Sequence, residues 1–217
     1  MSIKGIKNII FDLGGVILNI DYNRTVKAFK EIGLDDFDKF FSQYNLDDFF
    51  SKLEKGQRTE EDFLKEMRRN ISHKISNEAI IDAWNAILLD FPVSRINLLR
   101  NLSKNYRLFL LSNTNKIHLD AFNKILFTNH NEKSLDAFFE KAYYSHEIGM
   151  RKPDEEIFRY VLEQSCLTPH ETLFFDDTSI NIDAAEKVGI KTQLISKDYT
   201  IDDFFKNKLN GAIINFD

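Results

Sequence analysis

The sequence predicts an α/β protein, a doubly wound parallel sheet into which a bundle of helices is inserted. Three observations carry this. Short apolar runs at Asn8–Leu13, Leu108–Leu111 and Thr172–Phe175 lead into polar residues, as buried parallel strands do at the ligand-binding edge of a sheet. Helical spacing of apolar residues separates these runs. Between the first run and Pro92 no stretch alternates polar with apolar, and four consecutive helical patterns fill the interval.

The elements follow in order. Ile9, Ile10 and Phe11 are continuously apolar, as in a strand covered on both faces, and Gly14–Gly15 marks a loop. Val26, Phe29 and Ile32 give a helix from Tyr22, with Gly33 as its stop. Phe37, Phe40, Phe41 and Tyr44 give a second helix. Thr59 and Asp62 resemble a capping box ahead of Phe63 and Met67, and Ser76 can cap a helix carrying Ile80, Trp84, Ile87 and Leu88. After Pro92 the pattern alternates. Helices are predicted at Val93–Lys104, Asn115–Phe127, Asp154–Gln164 and Ser179–Val188. Strands are predicted at Leu108–Leu111, Lys141–Ser145, Thr172–Phe175 and Thr192–Ile195. The expected architecture is a Rossmann-like core of residues 1–18 and 91–217 with a helical-bundle cap of residues 19–90.

Composition narrows the function. The 217 residues are 43% hydrophobic and 29% charged, with a net charge of −5. No basic excess points to nucleic acid. The apolar run Ile9–Leu13 is short and contains Asp12, and no segment reaches the roughly 20 apolar residues of a membrane span, so neither a leader nor a membrane partner is expected. The lone Cys166 can make no internal disulfide; a buried position on a helix and a cytoplasmic protein are expected, as a monomer or weak homodimer.

Asp12, Ser112 and the pair Asp176–Asp177 fall at three strand ends. Carboxylates gathered there repel one another unless a cation sits among them, and hard oxygen ligands point to Mg²⁺. Ser112 can donate its hydroxyl to an oxyanion, with Asn113 supplying donors in the same loop. Asp21, Asn23 and Arg24 lie where the chain enters the helical segment and can reach a substrate, with helix capping as the simpler role. Asn181 can bond to Asp177 or to a metal-bound water. His118 follows the Ser112 loop and reads first as structural. His73, His130, His146 and His170 have no zinc spacing.

Phe11–Val16 (FDLGGV), Leu111–Asn115 (LSNTN), Arg151–Pro153 (RKP) and Phe174–Asp177 (FFDD) resemble, in order, the four motifs of the haloacid dehalogenase (HAD) hydrolase superfamily. The insertion after the first motif resembles the helical cap of its class I members. Within the superfamily the chain is most similar to bacterial sugar-phosphate phosphatases of the α-D-glucose-1-phosphatase type. The resemblance implies that Asp12 is a nucleophile toward phosphorus. It implies Mg²⁺ held by Asp12, the Gly14 carbonyl and Asp177, with Asp176 acting through water. It implies that Ser112, Asn113 and Lys152 hold the phosphoryl group of a small phosphate ester, with Lys152 keeping Asp12 ionised.

One position departs from the usual phosphatase pattern. Two residues after the nucleophile, an aspartate ordinarily protonates the leaving alcohol; here the residue is Gly14. The glucose-1-phosphatase type shares that glycine, and dehalogenases of the superfamily, which need no metal, also lack that aspartate. The Asp176–Asp177 pair favours the phosphatase. The alternatives are a metal-independent dehalogenase-type hydrolase and a non-catalytic phospholigand-binding protein.

Overall fold

The computed structural model describes residues 3–39, 41, 48–71 and 74–209. Five strands, β1 (Asn8–Phe11), β2 (Arg107–Ser112), β3 (Lys141–Tyr144), β4 (Thr172–Asp176) and β5 (Lys191–Leu194), form one parallel sheet in the order β3-β2-β1-β4-β5. The helices are α1 (Tyr22–Glu31), α2 (Asp48–Glu54), α3 (Glu60–Arg69), α4 (Asn77–Asn85), α5 (Val93–Leu102), α6 (Lys116–His130), α7 (Ser145–Ile148), α8 (Glu155–Gln164), α9 (Ser179–Lys187) and α10 (Ile201–Leu209).

Alternation along the strands explains the two covered faces. Ile9, Phe11, Leu108, Leu110, Leu173 and Phe175 share a core with Leu99, Phe122 and Phe204 of α5, α6 and α10. Their neighbours Ile10, Phe109, Leu111 and Phe174 pack with Phe158, Val161 and Ala185 of α8 and α9. Phe11 is level with Leu110 on one side and Phe175 on the other, so the residues following all three strands emerge at one edge.

A separate apolar cluster lies between Phe29 and Ile87 in the chain and takes in Ile117 of α6. It is built around Trp84, which stacks on Phe50 at 5.3 Å and meets Phe41 edge-on at 4.7 Å. The Thr59–Asp62 capping box and the Ser76 cap form as the sequence predicts. The two crossings between this cluster and the sheet run side by side. Asn19 donates its N–H to the Asp90 carbonyl, Leu89 donates to the Asn19 carbonyl, and Asp21 donates to the Ile87 carbonyl, each at 2.9 Å. Arg95 of α5 fastens one crossing by donating to the Ile17 carbonyl and to Asn19 Oδ1.

Three readings need correction. Cys166 is exposed; it lies past the end of α8 with φ at 51°, outside the helix that would have buried it. Phe37 belongs to a short 3₁₀ turn, Phe37–Lys39, while Phe40 and Tyr44 lie outside the described residues, as does His73. The last helix, α10, follows the final predicted strand; Thr200 and Asp203 cap it reciprocally, and its Ile201, Phe204 and Phe205 are buried against the sheet. No helix among the described residues is long and apolar enough to cross a membrane.

Candidate active site

The carboxyl edge of the sheet gathers the polar strand ends. Asp12 follows β1, and its N–H bonds to the Phe175 carbonyl of β4 at 2.8 Å. Asp176 ends β4, and Asp177 follows it. Ligand oxygens of Asp12, Asp176 and Asp177 lie within 4.8 Å of one another. The Lys152 ammonium enters this group from the loop before α8, 2.7 Å from Asp12 Oδ1 and 2.7 Å from Asp176 Oδ2. Lys152 is 1% exposed, so the pairing is shielded from water.

The loop holding Lys152 is fixed from both sides of its backbone. Asn113 Oδ1 accepts the Lys152 N–H, and Asn113 Nδ2 donates to the Lys152 carbonyl, both at 2.9 Å. The buried Ser145 hydroxyl braces the neighbouring turn by accepting the Thr114 N–H and donating to the Thr114 carbonyl. The Lys152–Pro153 peptide bond is cis.

One ammonium among three carboxylates leaves the group negative, and the titration behaviour follows. Burial pushes the Asp12 carboxyl up to about 8, and the charges of Asp176 and Asp177 add to this against the pull of Lys152. Asp177 is raised by burial and by Asp176. Burial works against the Lys152 ammonium, but Asp12 and Asp176 outweigh it and hold its pKa above the ordinary lysine value. These are the properties of a site that takes up a cation.

A cavity of about 320 Å³ opens over the group, lined by Asp12, Gly14, Ser112, Asn113, Lys152, Asp177 and Asn181 from the sheet side. Tyr22, Phe41, Glu54, Leu88 and His118 line the rest, with Arg151. Gly14 presents a carbonyl that accepts no hydrogen bond from the described residues. Gly15 has a φ of 74°, and a Cβ there would collide with the Asp177 carboxylate, so the close approach of this loop to Asp177 requires glycine. Ser112 is buried at the end of β2, and its hydroxyl takes no partner among the described residues.

The predicted residues do not all take the places expected of them. Asp12, Gly14, Ser112, Lys152 and Asp177 converge on the cavity. Asp176 stands in the carboxylate group, but both its oxygens are already occupied by Lys152, Asn181 and the Thr178 N–H, and it does not line the cavity. Asn181 therefore holds Asp176 and not Asp177. The Asn113 amide is spent on Lys152, leaving the loop's backbone to face the cavity. Arg24 is exposed on α1 and lies away from the lining; Asp21 caps that helix by accepting the Asn23 N–H. His118 stacks on Trp84 at 4.6 Å, and Nε2 meets the Trp84 carbonyl at 3.2 Å while Nδ1 faces Asn115 Nδ2. Burial pulls its pKa down to about 4, which keeps the ring neutral.

Tyr22 and Glu54 carry no motif signal and were reached by folding alone. Glu54 of α2 accepts from Arg151 Nε at 2.9 Å across 97 residues of sequence. Burial raises its pKa in spite of the guanidinium.

Comparison with known proteins agrees with this geometry. A family model described as haloacid dehalogenase-like hydrolase matches residues 6–189. A D-ribitol-5-phosphate phosphatase of Bacteroides thetaiotaomicron is 34% identical over 187 residues, covering 86% of this chain and 90% of the relative. The crystal structure of a HAD family enzyme from the same species, a magnesium complex, superposes with a TM-score of 0.86 at 37% identity, covering 93% of this chain and 99% of that one. Another structure from that species, a complex with magnesium and inorganic phosphate, gives a TM-score of 0.80 at 38% identity over 87% of this chain and 93% of that one. The chain belongs to the haloacid dehalogenase-like hydrolase family.

Proposed function

We propose that the protein is a magnesium-dependent phosphatase that hydrolyses a small sugar or polyol phosphate through an aspartyl-phosphate on Asp12. The observation that carries this is the buried group of Asp12, Lys152, Asp176 and Asp177 on one wall of a cavity. The likeness to a D-ribitol-5-phosphate phosphatase and to magnesium and phosphate complexes supports the same reading. A volume of about 320 Å³ stands at the small end of ligand sites, which run from roughly 300 to 1,000 Å³.

The donor set fits magnesium. Two carboxylates turned to the cavity, Asp12 and Asp177, and the unbonded Gly14 carbonyl are hard oxygen ligands, and Asp176 adds charge behind them. Bound there, the ion supplies charge neutralisation to the phosphate oxygens.

The chain's own groups do the rest. Lys152 orients Asp12 and pulls its pKa down against burial, and its charge attracts the phosphoryl group. An Asp12 oxygen attacks phosphorus, a P–O bond forms, and the bond to the alcohol oxygen breaks. The Ser112 hydroxyl and the backbone of the Asn113 loop donate to the transferring oxygens. A water then attacks the same phosphorus, releasing phosphate and restoring the carboxylate. Residues 19–90 act as a cap that closes over the cavity and excludes bulk water. Gly14 offers no acid for the departing oxygen, so that proton comes from water or from the substrate's surroundings.

The test is phosphate release from sugar phosphates, polyol phosphates and an aryl phosphate, with Mg²⁺ and with EDTA. Release that EDTA abolishes is expected. Halide release that ignores EDTA, or tight phosphosugar binding without turnover under any metal, would overturn the assignment.

A further inference from the structure

We infer that Glu54 and Arg151 read the hydroxyl groups of the leaving alcohol and so select polyhydroxylated phosphate esters. This rests on the phosphatase reading and adds the groups that choose its substrate.

The cavity is polar on its sheet side, where the phosphoryl group is bound. From the segment between the two crossings it receives Ile20, Tyr22, Phe41, Glu54 and Leu88. Glu54 is the only charged residue among these five, and it meets Arg151, the one cation among the described lining residues outside the carboxylate group. Their side chains are 17% and 22% exposed, so the pair is neither a solvated surface bridge nor sealed in the core.

The bonding is incomplete in a useful way. Arg151 Nε and Glu54 Oε2 engage each other, while Glu54 Oε1 and the two terminal guanidinium nitrogens take no other side-chain partner among the described residues. A carboxylate oxygen and a guanidinium fork, side by side, are an acceptor and a donor set. That is the complement of adjacent alcohol groups, each of which both donates and accepts. The Tyr22 hydroxyl, also without a partner among the described residues, adds a third polar group to the same cavity.

The turn that follows α2 has contacts of its own with the core. Lys55 reaches Asp154 at 3.4 Å, and Gly56 packs so closely on the His146 carbonyl that a Cβ there would collide. Both contacts lie outside the cavity lining, whereas Glu54 and Arg151 lie within it.

The experiment compares kcat/KM for a pentitol phosphate with kcat/KM for an aryl phosphate lacking hydroxyls, both with Mg²⁺, in the wild type, Glu54→Gln and Arg151→Met. The ratio of the two is taken on a single preparation, so partial unfolding cancels. In each variant the ratio is expected to fall by about tenfold or more, because a site built to bond substrate hydroxyls loses most on the substrate that has them. A ratio unchanged in both variants overturns the inference, as does a wild type that turns over the aryl phosphate and ignores the pentitol phosphate. A wild type inert toward both overturns the phosphatase reading itself and this inference with it.

Discussion

The Lys152 ammonium stands midway between Asp12 and Asp176, 2.7 Å from an oxygen of each, with almost no exposure to water. It is the cation that lets three carboxylates share the end of two adjacent strands. Lys152→Met removes it and leaves buried charge uncompensated. Without magnesium, the unfolding free energy measured with denaturant should fall by about 3–5 kcal/mol, the usual cost of breaking a buried pair from one side. Phosphate release should be lost as well.

Asp12→Asn replaces the carboxylate proposed to attack phosphorus while keeping its shape. Phosphate release should drop more than about 1,000-fold, as nucleophile removal does in covalent catalysis. Without metal this variant should melt no lower than the wild type, because it relieves repulsion with Asp176 and Asp177. Retained turnover would exclude the aspartyl-phosphate route.

Gly15→Ala tests the contact between the first loop and Asp177. The new methyl group would meet the Asp177 carboxylate at a backbone φ of 74°. A stability loss of about 1–2 kcal/mol is expected from the left-handed backbone alone. The magnesium concentration for half-maximal activity should rise too; an unchanged magnesium requirement would show that Asp177 does not depend on this contact.

His118 makes acid stability predictable. Its folded pKa, near 4, lies below the ordinary 6.5. Below pH 6.5 the unfolded chain takes up a proton that the folded protein refuses, so stability present above 6.5 is lost as pH falls toward 4. From pH 7 to pH 5 this group costs about 2 kcal/mol. His118→Gln should flatten that part of the denaturation profile while leaving the rest of the acid sensitivity in place.

The sheet was legible because its strands are continuous apolar runs, and Asp12, Ser112 and the aspartate pair were legible because each stands where such a run stops. What sequence could not give was the direction of side chains. Asn113 and Lys152 are 39 residues apart, and only the packed loops turn the amide onto the lysine backbone. Arg24 was placed near the substrate by its position in the chain, yet Tyr22, two residues earlier, is the one on the inward side of α1. Glu54 sits among Lys52, Lys55 and other charges that read as a solvated helix face. The helix α10 is written in the sequence as well, since Ile201, Phe204 and Phe205 have helical spacing and Thr200 with Asp203 caps it.

The paired crossings at Asn19 and Asp90 have a consequence for how such a chain changes over generations. The two ends of the inserted helices leave the sheet as hydrogen-bonded neighbours, so the insertion is attached at one point of the architecture. Segments joined this way can be lengthened, replaced or removed with little strain on the strands they interrupt. The strand ends and the helices above them can therefore be inherited as separate parts, the first held constant while the second is exchanged.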